Sequence, residues 1–96
     1  MKPEGEIESY MVNQSEKKGI LCYKFVSPGH RGVPDRILIG NGQTVFVELK
    51  APGETPRELQ EYVMKQMRKA GADVEVADTK EDVDRILNRI LEKKKS

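Results

Sequence analysis

The chain predicts a mixed α/β fold in which a small β-sheet is flanked by helices in the order αβββαβα. Three observations carry this prediction. Asn41-Gly42 separates two apolar, β-branched runs, the composition of a two-residue hairpin turn. Apolar residues recur at helical spacing in three separate segments, which marks three amphipathic helices. Between the second and third of these lies the short strand-like run Asp73 to Ala77, so a right-handed strand–helix–strand crossover should make the fourth strand parallel to the third.

In chain order, Ile7, Tyr10, Met11 and Gln14 define a helix from Glu4 to Lys18, ended by Gly19 as a C′ glycine. Ile20 to Val26 reads as the first strand, with Cys22 as a packing residue inside it. Ser27-Pro28-Gly29-His30-Arg31-Gly32 is a loop of turn-forming residues. The hairpin follows, and Ala51-Pro52-Gly53-Glu54 breaks its second strand. Thr55, Pro56 and Glu58 supply an N-cap, an N1 proline and an N3 glutamate for a second helix that ends at Gly71. Its apolar stripe is Leu59, Tyr62, Val63, Met67 and Ala70. Thr79 caps a third helix with Val83, Ile86, Leu87, Ile90 and Leu91 facing inward, and Lys93-Lys94-Lys95 forms a basic, fraying tail.

Composition bounds the function. The 96 residues suit a single domain, 1–96, with one modest core. A charged fraction of 34% and a mean hydropathy of −0.66 mark a soluble chain, and no run is long enough to span a membrane. One cysteine and no basic-then-apolar leader point to a reducing, cytoplasmic setting. A net charge of +1 argues against a strongly basic, nonspecific DNA coat protein. Any contact with nucleic acid must come from local patches.

The hairpin concentrates the chemistry. With Asn41-Gly42 as the loop, Gly40 flanks Gln43, Ile39 faces Thr44, Ile37 faces Phe46 and Asp35 falls opposite Glu48. Opposed side chains sit roughly 4.5–5.5 Å apart at Cβ. Two full charges at that distance repel by about 3 kcal/mol at an effective dielectric near 20. A divalent cation would remove that cost. Lys50 lies two residues past Glu48, hence on the same sheet face with an offset of about 6.7 Å, while Val45, Val47 and Leu49 turn to the core. Two carboxylates and an amine converging in this way form a metal-dependent phosphodiesterase pattern.

Gly32-Val33-Pro34-Asp35-Arg36, then Val47-Glu48-Leu49-Lys50 with Ala51-Pro52-Gly53, together with Lys24-Phe25-Val26-Ser27-Pro28-Gly29, Glu4 with Ile7, and Gln60, carry a family resemblance that extends over nearly the whole chain. On these residues the chain resembles a stand-alone, phage-type VRR-NUC domain, the virus-type replication-repair nuclease branch of the PD-(D/E)xK superfamily. The resemblance implies Asp35 and Glu48 as ligands of Mg²⁺ or Mn²⁺, aided by the Leu49 carbonyl, Lys50 as the active-site lysine, and Gln60 as a helix residue near the site. It also implies a first-helix carboxylate, Glu4 ahead of Glu8, which lies one turn on and could reach the same pocket. Lys24, His30, Arg31 and Arg36 are the candidates for phosphate contact.

The activity implied is structure-selective DNA endonuclease action on branched DNA such as Holliday junctions or flaps, by a homodimer in the cytoplasm of a bacterial or phage-infected cell. A nonspecific nickase or exonuclease of the same fold, or a non-catalytic nucleic-acid-binding module, is the alternative.

Overall fold

A computed structural model describes residues 3–92 of the chain, with side chains from residue 5 onward. The elements follow the expected order: α1 (Pro3–Lys17), β1 (Leu21–Lys24), β2 (Arg36–Gly40), β3 (Gln43–Leu49), α2 (Glu58–Lys69), β4 (Asp73–Ala77) and α3 (Lys80–Glu92). The strands form one mixed sheet ordered β1-β2-β3-β4, antiparallel through β3 and parallel between β3 and β4.

The turn sets the register. Asn41 and Gly42 both take positive φ, 49° and 75°, as a type I′ hairpin requires. Gly40 therefore pairs with Gln43, Ile39 with Thr44 and Ile37 with Phe46. The same turn also closes a helix. The Asn41 and Gln43 side-chain amides donate to the Ile90 carbonyl at 2.9 and 2.7 Å, satisfying an acceptor that α3 itself leaves open at its C-terminus.

One face of the sheet holds the main core. Leu38, Val45, Val47, Leu49 and Ala77 pack against Ile7 and Met11 of α1 and Val83, Ile86, Leu87 and Ile90 of α3, with Cys22 at the edge. Two local devices aim those helices. After α1, the Gly19 amide donates to the Glu16 carbonyl and the Ile20 amide to that of Ser15, a Schellman closure that turns the chain into β1. Before α3, Thr79 Oγ1 accepts from the Asp82 amide at 3.0 Å, the expected N-cap. Val63, Met64 and Val74 are buried outside this cluster, where α2 crosses β4 on the other side of the sheet.

Four details differ from the sequence reading. The first strand stops at Lys24 instead of Val26: Phe25 makes one more bond, to the Asp35 carbonyl at 2.9 Å, and Pro28 beyond it has no amide to donate to the ladder. The second helix starts at Glu58 with Arg57 as N-cap, and Gln60 Oε1 accepts from the Arg57 amide at 2.9 Å. Gln60 thus performs the capping task expected of Glu58, because Thr55, held extended before Pro56, stays outside the helix. The stripe of α2 is also rotated. Val63 and Met64 are buried, whereas Leu59 and Tyr62 are 48% and 61% exposed and Ala70 is exposed. Leu91, expected inward, is exposed because the inward row of α3 ends at Ile90. Lys93-Lys94-Lys95 lies outside the described residues. Among the described residues no helix is long and apolar enough to cross a membrane.

Candidate active site

Asp35 immediately precedes β2, Glu48 is the penultimate residue of β3 and Lys50 follows it. The ladder ends at Arg36 paired with Val47, so the next step brings Asp35 alongside Glu48. Two bonds hold this end of the sheet. The Leu49 amide donates to Asp35 Oδ2 at 2.9 Å, and the Lys50 amide donates to the Ala77 carbonyl at 2.9 Å. Lys50 Nζ then stands 3.4 Å from Glu48 Oε2.

Glu48 is the anomalous group. It is only 1% exposed, and its Oε1 is buried with no hydrogen-bond partner. Burial, and after it the neighbouring Asp35 carboxylate, push its pKa up to about 7, against the pull of Lys50. A buried acceptor left unmet is costly, and a carboxylate beside a second carboxylate resists ionisation. The donors available here are two carboxylates and the adjacent Leu49 carbonyl, all hard oxygens of the kind that suits Mg²⁺ or Mn²⁺. The orphaned Glu48 oxygen is the structural observation that fits such an ion. Among the described residues no group of three or more His, Cys, Asp or Glu converges. The acidic set centres on this pair.

The approach to the pair is shaped by the loop before it. Gly32, at φ 87°, lies so close to α2 that an added Cβ would stand 3.0 Å from Val63 Cγ2 and 3.1 Å from Leu59 Cγ. Phe25 meets Phe46 edge to face at 5.1 Å between centroids. A cavity of ≈ 260 Å³ opens beside Asp35, lined by Glu8, Lys24, Phe25, Val26, Asp35 and Leu49. A larger groove of ≈ 660 Å³ runs along Arg85, Asn88, Arg89 and Glu92 of α3. Its Arg89 is tied to Asp73 and Glu75 at 2.9 and 3.0 Å, and none of its lining belongs to the acidic pair.

The structure thus gathers Asp35, Glu48, Leu49 and Lys50, as the hairpin register demands. The side chain of Glu4 lies outside the described residues, while Glu8 lines the cavity. Lys24, His30 and Arg31 are exposed. Arg36 turns inward instead, its Nε donating to Glu8 Oε2 at 2.8 Å. Gln60 is half-buried with its carbonyl committed to the α2 N-terminus. The Glu8–Arg36 pair was missed in the sequence. Strand parity was the available signal, since the residue after Asp35 must face the helix-covered side.

A solved structure described as a VRR_NUC domain superposes with a TM-score of 0.83 at 29% identity, covering 92% of this chain and 97% of that one. A protein of Acyrthosiphon pisum secondary endosymbiont phage 1 named "Putative nuclease p44" is 53% identical over 62 residues, 62% of this chain and 67% of that one. No family model matches the chain.

Proposed function

Since the chain belongs to the VRR-NUC family of nuclease domains, we propose that it is a Mg²⁺- or Mn²⁺-dependent DNA endonuclease selective for branched structures such as four-way junctions or flaps. The observation that carries this reading is Glu48, a buried carboxylate with one unpartnered oxygen, set beside Asp35 and 3.4 Å from the Lys50 amine. A purely structural ion pair would have no use for the second carboxylate.

Phosphodiester hydrolysis by in-line water attack builds negative charge on the phosphoryl oxygens and on the leaving oxygen, so charge stabilisation is the main task. A divalent ion held by Asp35, Glu48 and the Leu49 carbonyl would neutralise the scissile phosphate and lower the pKa of a water bound to it. Asp35 is fixed for this role by the Leu49 amide. Lys50, a compact point charge on a strand end pinned to Ala77, orients the attacking water or meets the developing charge. Lys24, which lines the cavity beside Asp35, and the exposed His30 and Arg31 would contact backbone phosphates and contribute register rather than base reading. Symmetric cutting of a junction needs two sites, which a homodimer of this chain would supply.

The test is cleavage of end-labelled four-way junction, flap, linear duplex and single-stranded DNA with Mg²⁺, Mn²⁺ or EDTA, with Lys50→Ala controlling for contaminating nucleases. Paired, metal-dependent cuts in the junction that vanish in the variant are expected. Equal cutting of all four substrates would replace structure selectivity with a nonspecific nickase or exonuclease. Binding without cleavage of any of them would overturn the enzymatic reading in favour of a binding module.

A further inference from the structure

Lys50 is the first residue past β3, and its amide donates to the Ala77 carbonyl at 2.9 Å. Ala51-Pro52-Gly53-Glu54 then folds back as a turn, closed by the Glu54 amide on the Ala51 carbonyl at 2.9 Å. Proline at its second position and Gly53 at its third, with φ 82°, are what a type II turn takes. The Gly53 amide has no acceptor inside such a turn and needs one from outside. It donates to Asp78 Oδ2 at 3.0 Å. Asp78 follows Ala77 and is itself held, its amide donating to Asp82 Oδ2 at 3.2 Å while the Asp82 amide donates to Thr79 Oγ1 at 3.0 Å. Two consecutive residues at the end of β4 thus grip the chain twice, once at the Lys50 amide and once at the turn just beyond it.

Resting on the nuclease reading above, we propose that Asp78 is a positioning residue for that reaction: by tethering the Pro52-Gly53 turn to the N-terminus of α3, its carboxylate fixes the backbone at Lys50 and so aims the amine at the acidic pair. The bond to Ala77 holds only the Lys50 nitrogen. The direction of its Cβ depends on φ, and φ is set by where the chain goes next. A loose turn would let Cβ swing about the N–Cα bond, and with it the flexible four-carbon stem that now carries Nζ to 3.4 Å from Glu48 Oε2. The tether suits this task, because a backbone N–H on a carboxylate makes a hydrogen bond about twice as strong as a neutral pair. A displacement of about 1 Å at a reacting group can cost about 100-fold in rate.

The test is junction-cleavage kinetics on the full chain carrying Asp78→Ala, Asp78→Asn or Thr79→Ala, with Lys50→Ala as reference, alongside Mn²⁺ titration by calorimetry without DNA and the NMR resonance of the Gly53 amide. Asp78→Ala should lower kcat by about 10- to 100-fold with KM for DNA and Mn²⁺ affinity unchanged, and the Gly53 amide should move upfield as its acceptor is lost. Asp78→Asn, which keeps an acceptor oxygen, should recover most of kcat. Thr79→Ala weakens the start of α3 but leaves the Asp78 side chain in place, so it should keep kcat. Should Asp78→Ala not fold, Asp78→Ser repeats the test with the same expected loss. Wild-type kcat without the tether, a loss that asparagine does not recover, an equal loss in Thr79→Ala, or weakened Mn²⁺ binding would each overturn the proposal while leaving the nuclease reading intact. No cleavage by the natural chain, or undiminished cleavage by Lys50→Ala, would instead overturn the role of the lysine, and this inference with it.

Discussion

Glu48 shows how one buried atom can link stability to chemistry. Its carboxyl titrates near neutrality in the folded chain, about 7 against an ordinary 4.5, because burial and Asp35 disfavour the charge. The native state therefore holds a proton that the unfolded chain releases, so the contribution of Glu48 to stability is most favourable below about pH 4.5 and is lost as pH rises through 7. In EDTA, Glu48→Gln should be more stable than the natural chain by about 1–3 kcal/mol at pH 8, and the gap should shrink towards zero at pH 5. Urea melts at the two pH values would show it. An equal gap at both would mean that ionisation of Glu48 costs the fold nothing. The same substitution, like Asp35→Ala, should lower cleavage by about 100-fold or more while DNA binding holds or tightens, because each removes negative charge; gel-shift and cleavage assays on one preparation separate the two effects. Full activity in either variant would sink the site assignment.

At the scale of elements, the loop that delivers Asp35 depends on contact with α2. Gly32→Ala places a methyl 3.0 Å from Val63 Cγ2 at a positive φ, and should cost about 1–3 kcal/mol and reduce cleavage as the loop lifts. Gly29→Ala is the control, since its added Cβ meets nothing within 4 Å although its φ is also positive. Its loss should be limited to conformational strain, with cleavage kept; equal losses of activity in both would remove the contact as the cause. Thr79→Ala should cost about 1 kcal/mol through the lost cap, read as a lower urea midpoint. What the sequence made legible follows the same division. Hairpin register, β4 and the cap of α3 are written in local chemistry, in Asn41-Gly42, in the Asp73 to Ala77 run and in Thr79. The phase of α2 is not, because its buried row runs through the polar Gln60 and is decided by packing on β4. The inward turn of Arg36 follows from strand parity, but its partner Glu8 comes from α1, which is distant in sequence. That pairing and the phase of α2 are products of tertiary contact that no local pattern specifies.

On the scale of the whole molecule, the acidic pair lies where the hairpin, the β3–β4 pairing, the loop from Ser27 and α1 all meet. A cation binding there would favour the folded chain alone, because the unfolded chain has no such arrangement of oxygens. At a free Mn²⁺ concentration 100 times its dissociation constant the gain is about 2.7 kcal/mol, equivalent to roughly 10–20 °C in Tm for a domain of this size. The shift should be largest at pH 8, where Glu48 is already ionised, and smaller at pH 5, where Mn²⁺ must displace its proton. Thermal melts with MnCl₂ against EDTA at both pH values, with matched CaCl₂ and NaCl controls, measure it. In Glu48→Gln the shift should largely vanish at either pH. A shift of the same size in that variant would place the stabilising ion elsewhere on the molecule and detach the buried carboxylate from metal binding.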